Sequence, residues 1–156
     1  MSNFILSDKL HKREGQLALT LFDRKAKSGR LRFIETKHYY NAFTNNGLIQ
    51  IADQMSNMRL AKMRYMAVGT ASGGKGAVSN TLQTEIARVY MANWDNGGTA
   101  ALVYDAYFIE GVGTGNLVEA GIFNDQLAGN MLSWSDFGAI VKGVLNILRI
   151  QWTHNY

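Results

Sequence analysis

"GQLALTLFDRKAKSGRLRFIETKHYY", Gly15 to Tyr40, decides the fold. Leu17, Leu19 and Leu21 stand at every second position. That is the period of a strand with one face in a core, not the 3.6-residue period of a helix. "RKAKSGR" (24–30) is polar and contains a glycine, and "LRFIETKHYY" (31–40) then alternates again. Two alternating runs about a polar turn predict a hairpin.

The same grammar recurs along the chain. "MRYMAVG" (63–69), "ARVYMANW" (87–94), "AALVYDAYFI" (100–109), "LVEAGIFN" (117–124), "NMLSWSDF" (130–137) and "GVLNILRIQWTHNY" (143–156) all read as strands. "DNGG" (95–98) is a hairpin turn, because Asn and Gly tolerate positive φ. With no proline in the chain, turns fall to sixteen glycines together with Asn and Asp. About eight strands at about ten-residue spacing predict an all-β fold, an antiparallel β-sandwich. One α-helix is predicted over 44–57, with Thr44 as N-cap and with Leu48, Ile51, Ala52 and Met55 turned to the sheet. A second, short helical turn is predicted from Thr81, closed by an i, i+3 pair of Glu85 and Arg88.

A chain of 156 residues supports one domain with one core. The pattern divides it into an extended N-terminal arm (1–14) and a single sandwich domain (15–156). Charged residues are 18%, below the usual share of about a quarter, which predicts a surface partly covered by neighbours. The absence of cysteine excludes disulfides, thiolate metal sites and thiol catalysis. No apolar run is long enough for a membrane helix, and "NFIL" (3–6) is too short for a signal peptide.

Charge is unevenly spread. Residues 1–65 hold twelve Lys/Arg against five Asp/Glu, and residues 66–156 hold four against seven. A nucleic-acid surface would interleave cations with stacking aromatics on one face. Here the cations lie mainly in the arm and the first turn, which favours an acidic protein partner, a further copy of the chain included, over nucleic acid. In the arm, Phe4, Ile5 and Leu6 are adjacent apolar residues beside Lys9, Lys12 and Arg13. These six are the candidate partner-binding residues.

No reaction centre emerges. "GTASGGKG" (69–76) approaches a phosphate-binding loop, but Gly76 stands where a magnesium-binding hydroxyl is needed, so ATP and GTP are not expected to bind. His11, His38 and His154 lack ligand spacing and are read as surface or edge residues. Glu110 and Glu119 flank a hairpin turn and are read as solvated rather than as a glycosidase pair. Phe33, Tyr90, Tyr104, Phe108, Phe123, Trp134 and Trp152 lie in strands, so packing outweighs a sugar platform. No catalytic residue, cofactor or metal is expected.

An ordered set of segments carries a resemblance: "FTNNGLIQIADQM", "YMAVGT", "NTLQTEIAR", "LVEAGIFN", "GNMLSWSDF" and "VKGVLNILRIQW". Together they resemble small structural proteins of tailed bacteriophages and, more distantly, the N-terminal attachment domain of phage tail-collar fibres. The matching positions are Thr44 and Gly47, Val68 and Gly69, then Thr81, Leu82, Glu85 and Arg88, then Glu119-Ala120-Gly121-Ile122-Phe123. The resemblance spans about residues 40–152 and implies a non-enzymatic virion component: an adaptor or fibre anchor at the tail, collar or neck. Its partners would be tail, neck or capsid subunits and further copies of itself, with no membrane. The chain reaches Tyr156 with no fibre shaft, so a free-standing component is expected. Head decoration, with copies stapling capsid subunits, is the alternative, and a carbohydrate-binding module ranks below it.

Overall fold

A computed structural model describes residues 15–24, 28–56, 61–73, 78–95 and 100–155. The arm, with Phe4, Ile5, Leu6, Lys9, Lys12 and Arg13, lies outside the described residues. So do Lys75 and Asn96, Gly97 and Gly98 of the predicted hairpin turn.

The all-β class with one helix holds. Nine strands form one antiparallel sheet, where the sequence pattern suggested the two sheets of a sandwich. They are β1 (Gly15–Arg24), β2 (Leu31–Phe43), β3 (Tyr65–Gly69), β4 (Glu85–Tyr90), β5 (Asn93–Asp95), β6 (Ala101–Phe108), β7 (Gly115–Phe123), β8 (Met131–Lys142) and β9 (Asn146–Asn155). Their order is β4-β3-β7-β8-β2-β1-β9-β6-β5, and the sheet curls so that its two halves face each other across the core. β2 pairs with β1 along its length but meets β8 only at Ala42↔Trp134 and Phe43↔Ser133. The run 87–94, expected as one strand, is two. At Met91 and Ala92 the chain passes between the halves, with the Met91 N–H donating to Arg64 O and the Ala92 N–H to Asp105 O.

Alternation explains the β1-β9-β6 half. Leu17, Leu19 and Leu21 of β1, Leu148, Ile150 and Trp152 of β9, and Tyr104, Ala106 and Phe108 of β6 all point into the core. Full burial of one large apolar side chain is worth about 1.5–3 kcal/mol. The facing half contributes Met66, Val68, Leu117, Ile122, Leu132 and Ile140. β3 and β7 are buried on both faces and so lose the alternating pattern. On their outer face Ala67, Leu82, Phe123 and Met131 make a second, smaller cluster.

The helix α1 (Asn45–Met55) begins as predicted, with the Thr44 hydroxyl accepting from the Gly47 N–H at 2.9 Å. Its packed face differs from the one predicted. Gly47 and Gln50 are buried, whereas Leu48 is 45% exposed and Met55 84% exposed; Ile51 alone of the predicted set packs on the core. Gly47 sets this rotation. A Cβ there would collide with the backbone of Leu132, so glycine lets the helix lie close on β8 along that line. Gln50 is buried because it has partners: its amide donates to Ala61 O, and its Oε1 accepts from Asn124 at 3.1 Å. Gln50→Ala should therefore cost about 1–3 kcal/mol, the penalty for stranded buried polar groups. Leu48→Ala should stay within about 0.5 kcal/mol, as for an ordinary surface change. Urea unfolding of the two variants checks this, and a larger loss at Leu48 would reverse the assignment.

The predicted helical turn after Thr81 is not found. Residues 81–84 form bends and Glu85 opens β4. The Glu85–Arg88 pair does form, with guanidinium contacts at 2.7 and 2.8 Å, but on a strand.

Candidate functional site

The glycine-rich loop opens at Gly69, where the reason for glycine is steric. Any Cβ would meet the Glu119 carboxylate and the Thr84 carbonyl. Glu119 stands on β7 in register with Gly69. Its carboxylate is buried and accepts the backbone N–H groups of Gln83 at 2.8 Å and Thr84 at 2.7 Å. Glu119 is thus not the solvated residue expected from its place beside a hairpin; it fastens the 81–84 segment onto the sheet. Glu110, by contrast, is partly exposed and pairs with Arg24 at 2.6 Å. The two acids have separate structural partners.

Arg88 continues this framework. Its guanidinium lies over the Phe123 ring at 3.7 Å and donates to the carbonyls of Asp125 at 2.7 Å and Ala128 at 2.9 Å. Asn80 donates to Gly129 O and accepts from the Met131 N–H. The motif positions Thr44, Gly47, Gly69, Glu85, Arg88 and Glu119 therefore hold helix, bends and the 124–130 loop against β7 and β8. Side chains that donate to loop carbonyls and accept from bend amides are internal fasteners, with their hydrogen bonds already used.

His38 is exposed on β2, as expected, and His11 lies outside the described residues. His154 reverses the expectation of a surface or edge residue. It is fully buried, ringed by Phe43, Tyr104 and Trp152, and its Nε2 accepts from the Asn41 amide at 3.2 Å and lies 3.0 Å from the Ser133 hydroxyl. Burial lowers its pKa to about 3. The signal was present in the sequence, because His154 continues the every-second-residue series Leu148, Ile150, Trp152. Lys142 is likewise buried, and donates to Ile109 O at 2.9 Å. Desolvation lowers its pKa, against a smaller opposing effect of Glu110. Among the described residues no group of three or more His, Cys, Asp or Glu side chains is placed to hold a metal ion. No helix among them is long and apolar enough to cross a membrane.

Among the described residues, two apolar surface features bear on function. One is the pole where the β1–β2, β6–β7 and β8–β9 connections lie. Leu31, Phe33, Ile109, Val141, Val144 and Leu145 there are each half or more exposed. Arg24–Glu110 and the hydrogen bond from the Gly111 N–H to Val144 O tie these connections together. The other is a cleft of about 370 Å³ at the α1 end, between the helix and β5–β6. Ile51 and Met55 form one wall, Trp94, Leu102 and Tyr104 the other, with Lys62 also lining it. Compared with family models, with curated proteins and with solved structures, the chain has no match.

Proposed function

We propose that the chain is a non-enzymatic structural component of a tailed-phage virion, working by assembly at the tail, collar or neck. The observation that carries the assembly reading is the apolar pole: six large apolar side chains held in water around one set of joined turns. Exposed apolar surface gathered in one place marks contact with other macromolecules. The phage assignment rests on the ordered segments of the sequence resemblance. The framework role of Thr44, Gly47, Glu85, Arg88 and Glu119 agrees with a scaffold rather than a reaction centre.

The arm is the second contact in this reading. Phe4, Ile5 and Leu6 supply apolar area, while Lys9, Lys12 and Arg13 steer the arm to an acidic surface, faster at low salt. Deleting residues 2–13 should leave the domain folded and abolish its incorporation into particles. Imaging labelled full-length protein in purified particles gives the location. Density at the tail, collar or neck is the expected result, density over the capsid faces would mean decoration instead, and absence from particles would overturn the proposal.

A further inference from the structure

The cleft beside α1 has the chemistry of a socket for apolar side chains, and the chain itself carries a fitting plug. We propose that the cleft receives Phe4, Ile5 and Leu6 of a second copy of this chain. The inference rests on the assembly reading above and assigns the acceptor for the arm.

Two observations support this pairing. The first is composition. Ile51, Met55, Leu102 and Leu132 line the cleft, with Trp94 and Tyr104 as aromatic surface. At about 370 Å³ it lies toward the small end of the roughly 300–1,000 Å³ range of ligand pockets. A few large apolar side chains suit such a space.

The second is the exit point of the chain. Gly15 begins β1 opposite Asn41 and so close to His154 that a Cβ would strike its ring. His154 packs edge-on against Tyr104 at 5.6 Å, and Tyr104 lines the cleft. The arm therefore starts at the end of the molecule that carries the cleft. Gly15 follows Leu6 by nine positions, a span of up to about 30 Å when extended, enough to leave one molecule and enter a neighbour.

Donor and acceptor are different surfaces, so the contact is heterologous, and its repetition builds a ring where the rotation closes and a filament where it does not.

The absence of cysteine makes the test direct. Full-length chains carrying Ile5→Cys and full-length chains carrying Met55→Cys are mixed under a mild oxidant and resolved on a non-reducing gel. A disulfide requires Cα atoms within about 7 Å, so its rate reads proximity. The mixture should give the mixed dimer about tenfold faster than Ile5→Cys mixed with Leu127→Cys, a control at a side chain 91% exposed. A chain carrying both Ile5→Cys and Met55→Cys should yield linked dimers and larger species. No preference over the control overturns the proposal. So does an intrachain disulfide in the double variant that persists on dilution, which would show the arm docked on its own molecule. A cross-link in a protein absent from particles would sink the virion reading and leave this contact standing. Incorporation without the cross-link would do the reverse.

Discussion

Lowering the pH from 6.5 to 3 should destabilise this protein far more than a variant lacking the His154 imidazole. The folded state holds His154 with a pKa of about 3, against 6.5 for the exposed group. Between those values the unfolded chain binds a proton that the folded chain refuses, so stability rises with pH through the window and falls as acid is added. Below pH 3 both states are protonated and the loss stops growing. A difference of about 3.5 pH units at 1.36 kcal/mol each gives a loss on the order of 4–5 kcal/mol as an upper figure. Burial is the cause: a cation at this position would sit among Phe43, Tyr104 and Trp152, and its new proton would face the Asn41 amide, itself a donor. Urea midpoints measured from pH 7 to pH 3 for the wild-type chain and His154→Gln check this. Carboxylates titrate in both proteins, so the difference between the two curves isolates the imidazole. The variant should start less stable and show the flatter profile. Parallel curves would mean that His154 titrates as an exposed residue does.

Glu119→Ala should be the second large loss, about 3–5 kcal/mol, because two backbone N–H groups lose a buried charged acceptor. Each such hydrogen bond is worth about 1.5–3 kcal/mol. Glu119→Gln keeps the shape and one oxygen, but turns an NH₂ toward the second amide, so a good part of the loss should remain. Gly69→Ala should act on the same contact from the opposite side, because the new methyl occupies the place of the carboxylate. The combined Gly69→Ala, Glu119→Ala variant should then lose less than the sum of the two single variants, as neighbours sharing one interaction do. Chemical denaturation of the four variants supplies the cycle. Additive losses would show that the Thr84 carbonyl, and not Glu119, is what requires glycine at position 69.

The strand pattern is legible in the sequence because burial on one face writes itself as a period of two. Leu17-Leu19-Leu21 and Leu148-Ile150-Trp152 give both the strands and the face that each buries. The Thr44 cap is legible for a similar reason, since a cap is a local hydrogen bond between neighbours in the chain. The six arm residues stand out by adjacency and charge alone. Only tertiary structure decided which face of α1 packs. The closest approach is set by Gly47 against Leu132, far along the chain, and the buried Gln50 finds its partners at Ala61 and Asn124. The break of one expected strand at Met91 and Ala92 has the same origin, because the chain there changes partners from Arg64 to Asp105. Glu119 looks like a surface residue in sequence, and so does His154 by residue type, although its place in the series Leu148, Ile150, Trp152 already marks its face as buried. A polar side chain goes inside when distant groups satisfy it or when its strand parity turns it inward, and partners brought together by the curl of the sheet leave no local mark on the sequence.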